Sequence, residues 1–175
     1  MSWSRMSWSK LAASVAALGF AMGLAGCFQP LYSESAHPGL VEDLRAIEVT
    51  PIPLRIGHYL GEDLIADLNG TGQTSAPKYR LAVKITTGVQ TPTVNSETGV
   101  ASSATLTGDA DYSLTKVEGG AEVVKGTANA AAAYDRTTQR YADLRASRDA
   151  EIRLARALSQ EISLRLAAAL AAKPS

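Results

Sequence analysis

Apolar side chains recur at every fourth position in the C-terminal part of the chain, and this repeat constrains the fold most strongly. Because residues three and four apart share one face of a helix, the repeat predicts a single long amphipathic helix over 143–172. Its apolar face comprises Ala150, Leu154, Leu158, Ile162, Leu166 and Leu170, widened by Ala157 and Ala169. Arginines alternate with Asp149 and Glu151 on the remaining faces. These charged positions form either a solvated surface or a docking surface.

Three segments that precede this helix alternate between apolar and polar residues, which is the pattern of half-buried strands. The alternating positions are Tyr79, Leu81, Val83 and Ile85 in the first segment, Ala104, Leu106, Ala110, Tyr112 and Leu114 in the second, and Val124, Gly126, Ala128, Ala130 and Ala132 in the third. Between the last two segments lies Glu118–Gly120, a Glu-Gly-Gly sequence that favours a tight hairpin turn. The sequence therefore predicts three successive strands.

A shorter alternating segment over 46–52 predicts a further strand at the start of the domain. Pro51 and Pro53 close this strand or place it at a sheet edge, because proline lacks the backbone donor of a ladder. An amphipathic helix over 57–70 follows and can serve as the crossover if the first strand pairs in parallel. The element order predicts an α+β fold. We expect a two-layer sandwich in which a four-stranded mixed sheet is covered on one face by two helices.

The N-terminal segment combines a basic start with a short apolar run. Arg5 and Lys10 occur there without any acidic residue, and Leu11–Ala25 is apolar or small apart from Ser14. At about 15 residues, the run is shorter than the ~20 needed for a helix that spans a membrane. The pattern therefore predicts a signal peptide at 1–26 rather than a permanent anchor.

The only cysteine of the chain, Cys27, follows the apolar run. Together with Leu24–Gly26 it matches the bacterial lipobox, in which an aliphatic residue and two small residues precede the cysteine. We predict that the Cys27 thiol receives diacylglycerol and that fatty acyl chains such as palmitate anchor the protein, since two or more chains hold stably. Residues 27–45 would then form a lipidated tether, and 46–175 a single domain. The alternative is an ordinary secretory cut after Ala25 that leaves a free thiol.

The residues around the cysteine also bear on compartment and partners. Phe28 follows Cys27, and since an aspartate at that position retains lipoproteins in the inner membrane, we expect the periplasmic face of the outer membrane. A lone cysteine excludes a disulfide within the chain and a cysteine-based metal site. Without Arg5 and Lys10, 15 basic residues face 17 acidic ones, a net charge of about −2 that gives no reason to expect nucleic acid as a partner.

Motifs for catalysis are missing from the sequence. It contains no G-x-S-x-G elbow, H-E-x-x-H pair, P-loop or G-x-G-x-x-G loop. We therefore expect no enzyme activity, and no cofactor or metal other than the covalent lipid. Asp109 and Asp111 share one face of a predicted strand and could bind a cation, although solvated carboxylates are commoner.

Basic side chains form the remaining candidate site. Lys78, Arg80 and Lys84 point to the polar face of a predicted strand. Such a row could contact phosphate groups, or it could simply be a solvated surface.

Several segments resemble the LPS-assembly lipoproteins of the LptE family, particularly the alphaproteobacterial branch. The start of the mature chain, CFQPLY, is similar to the CGFQPLY opening of that family, with Phe28 in place of the usual glycine. The similarity continues, in order, through IPLRIGHYLGEDLIADLN, YRLAVKI, GTANAAAAYDR and YADLRASRDAEIRLARALSQEISLRLAAAL. The resemblance implies a lipoprotein that plugs the LptD-type β-barrel, assists its assembly and helps lipopolysaccharide to reach the outer leaflet. It also implies basic contacts to lipopolysaccharide, for which Arg80 and Lys84 are the candidates.

Two other functions stay open at the level of sequence. An auxiliary lipoprotein of an ABC-type phospholipid transport system would share the anchor and a similar small domain. A lipoprotein hydrolase is a different class, and it would need a nucleophile paired with a base, for which His58 is the obvious residue.

Overall fold

A computed structural model of the chain describes residues 39–70, 76–91 and 102–172. The predicted signal peptide, Cys27 and residues 28–38 of the predicted tether lie outside the described residues. The elements are α1 (Leu40–Arg45), β1 (Ile47–Val49), α2 (Arg55–Asn69), β2 (Tyr79–Gln90), β3 (Ser103–Lys116), β4 (Glu122–Asp135) and α3 (Arg140–Ala171).

The strands form one mixed sheet in the order β1-β2-β3-β4. β1 is parallel to β2, with Ile47 opposite Tyr79, and α2 is the crossover between them. The other neighbours are antiparallel, and β3 turns into β4 through Gly119 and Gly120, which both have positive φ values of 76° and 66°. The two-layer α+β fold with a four-stranded mixed sheet is therefore confirmed.

Helix α1 lies within the range 27–45 that the sequence assigned to the tether. Leu40 and Leu44 are each only 5% exposed, so this short helix belongs to the packed domain, whose described residues thus include three helices. Asp43 accepts a hydrogen bond from Lys78 Nζ at 2.9 Å, which ties α1 to the sheet. Two leucines four apart are too short a repeat to predict a helix, because so short a helix depends on tertiary packing.

The core lies between the sheet and the helices, where every second side chain of β2 and β3 is buried and α3 packs over β3 and β4. Leu81, Leu114, Leu154 and Leu158 are fully buried there. Gly108 on β3 makes this close approach possible, since a Cβ at that position would lie 3.0 Å from Leu154 Cδ2. The helix-facing parity predicted for β2 and β3 is confirmed.

The buried face of α3 differs from the predicted one on one side. Ala157 and Ala169 are half-buried, whereas the fully or nearly fully buried flank consists of Ala155, Ser159, Ser163 and Ala167. Ser159 Oγ donates to Asp67 Oδ2 of α2 at 2.7 Å, so this flank faces the neighbouring helix. Ala157 and Ala169 are thus only partly buried, and the opposite flank is buried more deeply because α3 packs against α2 as well as against the sheet.

The boundaries of three other elements differ by a few residues from those that the sequence predicted. β1 is shorter than the predicted segment 46–52, and α2 begins two residues before the predicted start at 57. β2 continues past Ile85 to Gln90, where its side chains are exposed on both faces and no longer alternate in burial. Within the described ranges, none of the helices has the length and hydropathy required to traverse a bilayer.

Candidate functional site

The sheet has one face that the helices do not cover, which we call the open face. Successive side chains of a strand point to opposite faces, so the residues between the buried positions of β2, β3 and β4 lie on this side. The open face includes Arg80, Lys84, Thr86, Asp109, Asp111, Thr127 and Asn129, all of them exposed. Both predicted basic contact residues therefore lie on the same accessible surface.

Arg80 is engaged in a contact between neighbouring strands. Its Nε lies 3.2 Å from Glu48 Oε2 on β1, and the side chains are 53% and 47% exposed. A ligand with negative charge would compete with the Glu48 carboxylate for this guanidinium. Arg80 is accordingly the weaker of the two candidates.

Lys84 is placed differently, two side-chain rows further along the open face. It stands opposite Asp111 in the β2–β3 register, and it makes no ion pair or hydrogen bond with another described residue. A surface depression of about 260 Å³ adjoins it and is also lined by Asp111, Ser113 and Lys125. The ammonium group of Lys84 is therefore available to an anionic ligand.

Lys125 is a basic residue of this depression that the sequence analysis did not single out. It lies on β4 opposite Ser113, and Ser113 in turn lies opposite Ala82 on β2. The structure thus pairs Arg80 with Glu48 and places Lys84 and Lys125 at the same depression. The register of both hairpins would have been needed to find this pair from the sequence.

The two carboxylates considered for a cation both have partners on β4. Asp111 Oδ1 accepts a hydrogen bond from Thr127 Oγ1 at 2.6 Å, and Asp109 Oδ1 accepts one from the Asn129 side chain. These are cross-strand polar pairs of the kind that stabilise a sheet surface. In the part of the chain that the structure describes, no three potential metal-ligating side chains cluster.

Lys78, the third residue of the predicted basic row, takes part in a structural contact with Asp43. Its hydrogen bond to Asp43 raises the pKa of Lys78 above its ordinary value. The guanidinium of Arg55 on α2 likewise binds both carboxylate oxygens of Glu151 on α3, at 2.8 and 2.7 Å. This bidentate pair raises the pKa of Arg55 and joins the two long helices.

His58, the residue to which a hydrolase hypothesis points, lies near the start of α2. Its Nε2 is 3.3 Å from Glu62 Oε1 one turn later, and its side chain is 67% exposed. Among the described residues, no serine or threonine hydroxyl hydrogen-bonds to this imidazole. The geometry is that of a surface pair within one helix.

The chain matches no family model and no curated protein. Among solved structures it is similar to a candidate lipoprotein from Caulobacter crescentus, with 30% identity over 77% of this chain and 98% of that chain and a TM-score of 0.63. A minor lipoprotein from Acinetobacter baumannii shares the fold at 18% identity, over 71% of this chain and 92% of that chain, with a TM-score of 0.55. The domain is thus of a class that occurs in bacterial lipoproteins. At the identity and coverage of the first match, the chain belongs to the same lipoprotein family as the Caulobacter protein.

Proposed function

We propose that this protein is anchored by lipid on Cys27 to the periplasmic face of the outer membrane and acts as the LptE component of lipopolysaccharide export. In this role it has no enzyme activity. It plugs an LptD-type β-barrel, assists the assembly of that barrel and helps lipopolysaccharide to reach the outer leaflet. The only non-protein group that the role requires is the covalent lipid.

The observation that supports this proposal best is the ordered set of LptE-like segments. The segment from Ile52 to Asn69 contains all of α2, the segment that starts at Tyr79 opens β2, and the segment from Gly126 covers most of β4. The closing segment comprises nearly the whole of α3. The resemblance therefore extends over successive packed elements of one domain, and not over a single short motif.

The division between the two faces of the sheet fits a plug. The helices bury the apolar face, so the surface left for a partner is a broad sheet of small polar side chains, including Thr86, Asp109 and Asn129. The interior wall of outer-membrane barrels is polar as well. A polar open face can lie against such a wall through hydrogen bonds and ordered water, without the burial of unpaired apolar surface.

Within this role, Lys84 is the better candidate for contact with lipopolysaccharide, which is an anionic glycolipid. Its ammonium group has no competing partner among the described residues, whereas Arg80 would have to release Glu48. Lys125, at the same depression, can supply a second positive charge. Two ammonium groups at one depression can neutralise a phosphate group. The carboxylate of Asp111 lies at the same depression and lowers its net positive charge.

Affinity capture of the tagged full-length chain from detergent-solubilised membranes tests the partner. We expect recovery of a large outer-membrane barrel, together with less lipopolysaccharide at the cell surface and misassembled barrel after depletion of the protein. Recovery of inner-membrane permease components instead would favour the phospholipid transport alternative. Normal surface lipopolysaccharide and normal barrel after depletion would reject the proposed role.

The anchor is tested separately on the same purified chain. Mass spectrometry of the N-terminal peptide should show acyl chains on Cys27, and Cys27→Ser should release the protein from the membrane fraction. An unmodified thiol or an N-terminus at Gly26 would contradict lipidation and support the ordinary secretory cut.

A further inference from the structure

Strand β4 is an edge of the sheet, and half of its backbone groups point away from β3. The Arg136 N–H donates to Ser102 O at 3.0 Å, next to the opposed residues Ser103 and Asp135. Since antiparallel pairs alternate between bonded and non-bonded types, even-numbered residues of β4 bond to β3. The odd-numbered residues from Lys125 to Asp135 therefore direct their N–H and C=O groups outward.

Two of these outward carbonyls are occupied by arginines of α3. Arg153 donates to Ala133 O at 2.8 Å, and Arg165 donates to Thr127 O at 2.5 Å. Each arginine is also paired with an acidic residue one helical turn earlier. Arg153 bonds to Asp149 at 2.8 Å, and Arg165 bonds to Glu161. We call these two arrangements the arginine clamps.

The clamps have the same spacing on the helix and on the strand. Twelve residues of helix from Arg153 to Arg165 span about 18 Å, and six residues of strand from Thr127 to Ala133 span about 20 Å. Between the arginines, steps of four along α3 place Ala157 and Glu161 on this side; Ala157 has no donor for a third clamp, and Glu161 is paired with Arg165. Asn129 and Ala131, the outward residues between the clamped ones, are exposed.

A second copy of this chain complements the β4 edge. In an antiparallel pairing of two β4 strands about a two-fold axis at Ala130, Lys125 of each copy stands opposite Asp135 of the other. Both side chains lie on the open face, and neither forms an ion pair with another described residue. A register shifted by two residues places Lys125 opposite Ala133 or beyond the end of the strand, so charge selects the register centred on Ala130.

We propose that β4 is a strand-pairing edge for a second copy of this chain, held closed by Arg153 and Arg165. In the register centred on Ala130, Thr127 of one copy is opposite Ala133 of the other, and their carbonyls must accept hydrogen bonds across the interface. Those are the two carbonyls that the clamps occupy. A guanidinium at each end thus blocks the pairing, in the way that natural sheets protect exposed edges with charge.

The proposal is tested with full-length chains that bear two different tags and are expressed together, then extracted with mild detergent. The wild-type chain should not recover the second tag, whereas R153Q/R165Q should recover it and double the protein mass in light scattering. The matched control is R148Q/R156Q, which removes two exposed arginines of the same helix that form no hydrogen bond or ion pair with another described residue. The control should behave as the wild type.

Charge exchange then tests the register. In the R153Q/R165Q background, K125E should abolish recovery of the second tag, and K125E/D135K should restore it. Thermal unfolding shows whether each variant is folded, and R153M/R165M, which removes both guanidinium groups but keeps long side chains, provides the test if R153Q/R165Q is not. A folded clamp variant that stays a single copy would overturn the proposal, as would second-tag recovery by the wild type. Pairing that survives K125E would overturn the register.

Discussion

The two faces of the sheet are built by the same strands and have opposite characters. On the side of the helices, Leu81 and Leu114 stand opposite each other at 0% exposure. On the open face, Lys84 and Asp111 stand opposite each other in the same register, and both are exposed. Because burial of apolar area dominates folding, we infer that the helix-facing side determines stability. The side chains of the open face can then suit contacts with partners, because folding stability does not depend on them.

The largest effect that this comparison predicts concerns the centre of the core between the sheet and α3. Leu158→Ala removes a fully buried side chain and leaves a cavity between α3 and the sheet, so we expect the free energy of unfolding to fall by about 2–5 kcal/mol. The matched open-face change is Thr86→Val, which keeps the shape and should stay within about 0.5 kcal/mol. Urea denaturation measures both. Equal losses for the two variants would break the distinction between the faces.

A second test uses two glycines of α2 that differ in the space around them. A Cβ on Gly57 would lie 2.7 Å from Ile52 Cγ2 and 2.8 Å from Ile52 O, and backbone cannot move aside cheaply. We expect Gly57→Ala to cost about 1–3 kcal/mol through overpacking.

Gly61→Ala is the control for this test, because its Cβ would meet only Ile52 Cδ1 at 4.0 Å. Alanine is the better helix former, so this change should raise the free energy of unfolding by about 0.5–1 kcal/mol. Thermal unfolding of both variants gives the comparison. A stabilised Gly57→Ala would show that the contact between α2 and the segment after β1 is looser than the structure indicates.

The two buried serines of α3 provide a test in the core with a smaller expected effect. Ser159 donates a hydrogen bond to Asp67, so Ser159→Ala should cost about 1 kcal/mol. Ser163 Oγ is buried and has no hydrogen-bond partner among the described residues, so Ser163→Ala should be neutral or slightly stabilising. Chemical denaturation distinguishes them, and an equal loss for both would indicate that Ser163 has a partner.

Sequence periodicity predicted the helix-facing side well, because burial imposes regular spacing on apolar residues. Leu81 in β2, Leu114 in β3 and Leu158 in α3 were all assigned correctly to the core. It failed where structure depends on contacts without such spacing. Helix α1 has only Leu40 and Leu44 to bury, and the exposed end of β2 is held by backbone pairing, as at Gln90 opposite Thr105.

The candidate site was predictable only in part, for a related reason. Strand alternation placed Arg80 and Lys84 on one outward face, as the structure has them. The alternation could not show that Glu48 forms an ion pair with Arg80, or that Lys125 lies at the same depression as Lys84. Those neighbours depend on the order and register of the strands, which the composition of any one strand does not encode.

The smallest predicted effect concerns Lys78, the residue directly before β2, whose hydrogen bond to Asp43 connects this end of the strand to α1. The hydrogen bond that Lys78 donates to Asp43 raises the pKa of Lys78 above its ordinary value of 10.5. A cation whose pKa is raised by folding contributes its full stabilisation below the unfolded value and loses it as pH rises through the folded value. The free-energy difference between the wild type and Lys78→Gln should therefore be constant from neutral pH to about 10 and narrow above 10.5. Lys116→Gln, which removes a lysine that forms no ion pair with a described residue, should show no such narrowing. If the difference in the free energy of unfolding persists at high pH, the aliphatic part of the Lys78 side chain, and not its charge, holds α1 against the sheet.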